Sequence, residues 1–201
     1  VNVLSQEVSL YTELVQGRNP SLAKQSIIFD EAIFITMEHE AFGDELFKYK
    51  RGIGLEITRD IYPGLNSQLT FRKPLESQIS LEVDGILYFT ADDGSNGSQI
   101  WKIEHRDATS EKVTNLKTQG NLSQTFSDLI DFKGQLFFAA HSQGQGQRLW
   151  KISKSGNEEL VAKINSANVS TFLKFIAVPL INFYLYYQRS RLYLIKLKFL
   201  Q

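Results

Sequence analysis

The chain has 201 residues, with 22 basic and 22 acidic side chains, 42% apolar residues and 22% charged ones. That composition excludes a disordered chain, and the balanced charge lacks the net basic footprint of non-specific nucleic-acid binding, so no nucleic-acid partner is expected. The absence of cysteine excludes disulfide frameworks, thiol nucleophiles, thiolate zinc sites and iron–sulfur clusters.

Taken in chain order, residues 1–28 read as the end of a preceding unit, because residues 14–20 ("LVQGRNP") align with residues 57–63 ("ITRDIYP"). Val1 at the start and Met37 as the only methionine read as a fragment or a processed product. Three segments then align without gaps: residues 33–50 ("IFITMEHEAFGDELFKYK"), 87–104 ("LYFTADDGSNGSQIWKIE") and 136–153 ("LFFAAHSQGQGQRLWKIS"). In register stand Gly43, Gly97 and Gly146, then Leu46, Ile100 and Leu149, then Phe47, Trp101 and Trp150, then Lys48, Lys102 and Lys151. The units are repeat 1 over residues 29–83, repeat 2 over 84–132 and repeat 3 over 133–171.

Each unit predicts a hairpin: an aromatic and β-branched strand, a polar loop of about seven to eight residues, and a returning strand with the large aromatic. Third strands are expected over residues 55–58, 112–114 and 159–162, and a further apolar stretch over 79–83 and 126–132. Four short strands in a period of roughly 50 residues, with no defensible helix-period segment, predict an all-β fold of tandem four-stranded antiparallel blades, a β-propeller or part of one.

Residues 172–201 differ in composition. They hold five of the 22 basic residues, none of the 22 acidic ones and none of the 13 glycines, so the zero net charge joins an acidic array to a basic tail. "NFYLYY" (residues 182–187) falls where the next outgoing strand belongs, and "RLYLIK" (191–196) in the place of "RLWKIS" (148–153), across a turn near residues 188–190. The segment therefore reads as degenerate terminal strands, with a shifted reading frame or a basic aromatic membrane-surface segment as the other readings. The apolar run at 176–187 is too short for a transmembrane helix, which needs roughly 20 residues.

These motifs resemble the bacterial ELWxxDGT repeat family. The hairpin matches as "LYFTADDGSNGSQIW" (87–101), "ELF" (45–47) and "RLW" (148–150), and the following segment as "EITRDIYPGLNS" (56–67). The Asp-Gly-Thr turn is degraded in every copy, and the motif's Glu is Gln99 in one unit and Arg148 in another. The resemblance implies a large secreted or surface-attached bacterial protein with propeller-like architecture and no catalytic residue set.

"DDGSNG" (92–97) is oxygen-rich, which makes Asp92 and Asp93 the candidates for calcium. Carboxylates do not recur at these places in the other copies, so a hairpin turn is the favoured reading and no cofactor is expected. His39, His105 and His141 are the only histidines and fall in or beside predicted loops of different copies, as solvated loop residues rather than a zinc cluster. Phe47, Trp101 and Trp150 admit sugar stacking, but their constant register favours packing between sheets. The expected function is a non-catalytic binding or scaffold module, extracellular or on the cell surface. Its loops would contact a protein or glycan, and its ends neighbouring blades or a second copy. The alternative is a carbohydrate hydrolase or lyase, which needs Glu38, Asp92 and His141 to converge from their matching loop positions.

Overall fold

The computed structural model describes residues 23–39, 41–63, 80–94, 97–116, 126–142, 146–163, 173–177, 183–187 and 194–197. Among them every regular element is a strand, and the strands form four antiparallel sheets in chain order. Sheet 1 holds β1 (Ala23–Phe29), β2 (Ala32–His39), β3 (Gly43–Lys50) and β4 (Gly54–Ile57). Sheet 2 holds β5 (Ser80–Val83), β6 (Ile86–Asp92), β7 (Ser98–Ile103) and β8 (Glu111–Lys112). Sheet 3 holds β9 (Phe126–Phe132), β10 (Gln135–Ser142), β11 (Gly146–Ile152) and β12 (Glu158–Lys163). Sheet 4 holds β13 (Leu173–Ala177), β14 (Phe183–Tyr187) and β15 (Leu194–Leu197). The described residues are all-β: three four-stranded antiparallel sheets in tandem, followed by a three-stranded one, as the sequence predicts for consecutive blades.

The sheets are phased one strand earlier than the repeat as counted along the sequence. Ser80–Val83 opens sheet 2 and Phe126–Phe132 opens sheet 3, where the sequence had placed each at the close of the unit before. The reason is local. Two-residue turns at Asp30-Glu31, Asp84-Gly85 and Lys133-Gly134 have both central residues at positive φ (46° and 60°, 51° and 74°, 54° and 72°). Such paired positive dihedrals twist with the flanking strands and join each apolar stretch to the strand after it. Residues 23–28 accordingly belong to the first sheet, while residues 1–22, read as the end of an earlier unit, lie outside the described residues.

The predicted hairpin loops are shorter than expected. The ladders continue outward to His39↔Gly43, Asp92↔Ser98 and Ser142↔Gly146, leaving connections at 40–42, 93–97 and 143–145. Polar side chains do not oppose pairing once the strands pass beyond the apolar core, because the backbone bonds are then the only requirement. The third strands move by a residue or two, to Gly54–Ile57, Glu111–Lys112 and Glu158–Lys163.

Sheet 2 is apolar on both faces, as its near-continuous run "ILYFTA" requires. Leu87, Phe89 and Trp101 pack with Phe34 and Leu46 of sheet 1 and with Ile61, beyond the end of β4. On the other side Tyr88, Ile100 and Leu116 pack with Leu136, Phe138 and Ile152 of sheet 3. Strand alternation produces this division, since successive side chains point to opposite faces. Thus Trp101 fills the first seam between sheets, partly buried Trp150 lies against the second, and Phe47 packs with Ile35 and Met37 on the face of sheet 1 turned away from sheet 2.

The tail pairs differently from its sequence alignment. Phe34 lies opposite Lys48, Tyr88 opposite Lys102 and Phe137 opposite Lys151, and Tyr184 lies opposite Lys196. The aromatic–lysine pair therefore continues into sheet 4, with Lys196 rather than Leu194 in the lysine position. The hairpin is two residues shorter between the partners than in sheet 3, whereas the sequence alignment had shortened it by four.

Candidate functional site

The residues singled out from the sequence do not converge. Asp92 ends β6 and is buried; its Oδ1 accepts a hydrogen bond from the Gly94 amide at 2.7 Å. Asp93 pairs with Lys112 at 2.7 Å. Gly94 has φ +78° and lies beneath the Tyr62 ring, where an added Cβ would stand 2.2 Å from Tyr62 Cε2. Ser95 and Asn96 lie outside the described residues. Gly43 and Gly97 share φ values of 72° and 73° at the entry to the returning strand, and Gly146 opens β11.

His39 ends β2, accepts the Ala41 amide on Nδ1 at 3.1 Å, and packs its ring near Phe42 and Phe47. It is thus tied into its own hairpin and half-buried. His105 is exposed in the bend after β7. His141 lies in β10, with its side chain outside the described residues. Glu38, Asp92 and His141 fall on sheets 1, 2 and 3 respectively. Among the described residues no three His, Asp or Glu side chains are grouped as a metal site would need.

The best-organised polar groups stand at a position to which the sequence reading gave no role: it matched Glu45 to the motif and counted Gln99 and Arg148 as departures from it. Glu45, near the start of β3, is fully buried. Its Oε1 accepts from the amides of Ile61 and Tyr62 at 3.1 and 3.0 Å. Those amides belong to the segment that leaves β4 for the next sheet. Gln99, in register on β7, does the same with a carboxamide: Oε1 accepts from the Leu116 amide and Thr114 Oγ1, each at 2.9 Å, and Nε2 donates to the Leu116 carbonyl at 2.9 Å. Ile61 and Leu116 are thereby held as plugs, one in each seam. The signal was present in the sequence, since positions 45, 99 and 148 are polar in the same place between a glycine and an apolar pair.

Thr58 and Thr114 add a second tie. Thr58 bonds the Leu46 carbonyl through its amide and hydroxyl, and Thr114 bonds Ile100 through both groups. Ser110 donates to Thr58 Oγ1 at 2.9 Å, linking the sheets within a buried setting.

The two latches differ in charge. Glu45 Oε2 has no hydrogen-bond partner among the described residues, nor has the buried Asp60 Oδ1. Burial pushes the Glu45 carboxyl up to about 7; the two backbone amides oppose this, while Asp60 and Asp44 add to it. At neutral pH the group therefore exchanges a proton inside the fold. In the third unit Arg148 takes the position, and its Nε lacks a partner among the described residues.

At the rim of the first seam, Lys48 Nζ donates to the Arg106 carbonyl at 3.0 Å and Lys50 pairs with Asp107 at 2.7 Å. Asp30 accepts the Arg106 amide, Glu31 pairs with the Arg106 guanidinium, and the Arg59 guanidinium stands 5.7 Å from the Trp101 ring centroid.

No family model and no curated protein matches the chain. Among solved structures it is similar to an α-L-arabinofuranosidase (CtGH43) from Clostridium thermocellum ATCC 27405, at 9% identity and a TM-score of 0.37, covering 85% of this chain and 66% of that one. It is also similar to Bacteroides ovatus xyloglucan PUL GH43B, at 14% identity and a TM-score of 0.39, covering 85% of this chain and 37% of that one. The chain thus spans less than two thirds of the length of either. Among the described residues no helix is long and apolar enough to cross a membrane.

Proposed function

We propose that the chain is a stretch of an ELWxxDGT-type repeat array, acting as a non-catalytic binding or scaffold module of a secreted or surface-attached bacterial protein. The observation that carries this reading is the contrast between frame and loops. The inward polar residues Glu45 and Gln99 are bonded to backbone in equivalent ways, whereas the loops at 40–42, 93–97 and 143–145 share no recurrent chemistry. A constant frame carrying variable loops is how scaffolds present contact surfaces. No cofactor is part of this reading; Asp92 Oδ1 accepts from the Gly94 amide and Asp93 pairs with Lys112.

A glycan array and a protein array, run beside a hydrolase panel that includes α-L-arabinofuranosides and xyloglucan, test the proposal. Saturable binding without turnover is expected. Turnover that survives purification and is lost with Glu38, Asp92 or His141 would replace it with the hydrolase reading.

A further inference from the structure

The third unit departs from the other two at one cross-strand pair. Arg148 stands in the place of Glu45 and Gln99, with donors where they present acceptors. Thr58 and Thr114, which bond Leu46 and Ile100, give way to Ala162 opposite Leu149. The next residues are Arg59, Asn115 and Lys163. The two positions thus hold an acid and a base in the first unit, two carboxamides in the second and two bases in the third. Arg148 pairs directly with Lys163 across β11 and β12, so both side chains leave the same face of sheet 3. Like charges directly opposed on a sheet are destabilising, and an anion held between them removes that cost.

That face is the one turned to sheet 2. Leu149 packs with Ile130 and Phe137 on the other side, whereas Trp150 lies against the cluster of Tyr88, Ile100 and Phe138. Arg148 and Trp150 are half-buried, and Lys163 is exposed. Arg148 Nε and Trp150 Nε1 are both buried atoms without a partner among the described residues, whereas the counterpart Trp101 donates to the Ala91 carbonyl. Among the described residues Lys163 forms no ion pair either. Little in this part of the chain could neutralise the two cations. From residue 117 to 201 the acids are Asp128, Asp131, Glu158 and Glu159. Asp131 accepts the Gly134 amide, Glu158 accepts the Asn115 amide and Glu159 pairs with Lys151. The side chain of Asp128 lies outside the described residues. The stretches 117–125, 143–145 and 164–172 contain no acid.

We propose that Arg148 and Lys163, with Trp150 beside them, form a site for the carboxylate of an acidic saccharide, a uronate. All three polar groups are donors: a guanidinium, an ammonium and an indole N–H. A uronate brings only what they lack, a carboxylate for the two cations and ring or hydroxyl oxygens for the indole. The N–H groups of an acidic peptide meet no acceptor among these side chains. The proposal rests on the binding-module reading and names its ligand class.

Titration calorimetry on the whole chain tests it. The probes are oligomers of galacturonate, alginate and hyaluronan, with methyl-esterified oligogalacturonate as the neutral control and oligoglutamate as the acidic peptide. At least one uronate is expected to bind, more weakly as salt rises, and the ester and oligoglutamate to bind about tenfold more weakly or not at all. Arg148→Gln installs the group found at Gln99, and Lys163→Asn the group found at Asn115, so both suit the fold. Each is expected to weaken uronate binding about tenfold with melting unchanged. Lys163→Glu gives Arg148 a carboxylate on the chain itself, and is expected to abolish uronate binding without lowering melting. Absence of binding by all three uronates, equal binding of the ester or of oligoglutamate, or uronate binding that survives Arg148→Gln or Lys163→Glu would each overturn the proposal and leave the binding-module reading standing. Turnover of a uronate oligomer would overturn that reading, and this proposal with it.

Discussion

At the start of β3 a carboxyl, and at the start of β7 a carboxamide, hold the segment that carries the chain from one sheet to the next. Gln99 presents an acceptor and a donor, and both are used on Leu116. Glu45 presents two acceptors, and only one meets amides, those of Ile61 and Tyr62. The same geometry is neutral in one unit and proton-dependent in the other. A buried oxygen without a donor is costly unless it carries a proton, which is the origin of the raised Glu45 pKa. The comparison teaches that the motif's Glu serves the latch rather than chemistry on a ligand, and that glutamine fills the role without titrating.

The largest way to break the comparison is to empty the seam that the Glu45 latch serves. Trp101→Ala removes a buried indole between sheets 1 and 2, together with its hydrogen bond from Nε1 to the Ala91 carbonyl. It is expected to lower stability in denaturant unfolding by about 3–5 kcal/mol. Trp150→Ala, at the partly buried equivalent place, is expected to cost less. Equal losses would show that the two seams are not distinguished by burial.

Next is the pH response. The folded Glu45 carboxyl keeps its proton to about 7, above its ordinary 4.5, so its contribution is complete below pH 4.5 and is lost as pH rises through 7. The change amounts to about 3 kcal/mol at the one-unit equivalence of roughly 1.4 kcal/mol. Glu45→Gln is expected to copy the Gln99 latch and flatten the stability-versus-pH curve over that window. An equally steep curve in the variant would remove Glu45 as its cause. Gln99→Glu sharpens the point, since it should transfer the same pH dependence to the second latch.

Smaller is the effect of Gly94→Ala, whose Cβ meets the Tyr62 ring in a backbone conformation that alanine resists. A loss of about 1–3 kcal/mol is expected, read as a lower melting temperature. Smallest is Arg106→Ala at the rim. Its partners Glu31 and Asp107 are exposed, and solvent screens such pairs, so melting at moderate salt should not change measurably.

Much of the fold was legible from residues. The ungapped recurrence of Gly43, Gly97 and Gly146 with Phe47, Trp101 and Trp150 marked the hairpins, because a period-two strand exposes its anchor at one fixed place per unit. The phase of the sheets was not legible. It depends on the two-residue turns at Asp30-Glu31, Asp84-Gly85 and Lys133-Gly134, which bind each strand forward rather than back. Nor was the pairing of Tyr184 with Lys196, since the number of residues missing from a shortened turn is set by strand pairing and not by the neighbouring letters. The candidate site was the least legible part. Glu45 looks like a bare motif match and Gln99 like variation at the same position until Ile61 and Leu116 are brought to them from 16 and 17 residues away.

The sequence by itself determined the all-β class, the repeat and the aromatic anchors, because alternation, turn chemistry and periodicity act within a few residues. Only the tertiary structure decided which strands share a sheet, which face each anchor meets, and why a polar residue sits inside a strand. Those outcomes depend on burial between distant segments. Burial alone turns Glu45 from a solvated acid into a proton-dependent latch.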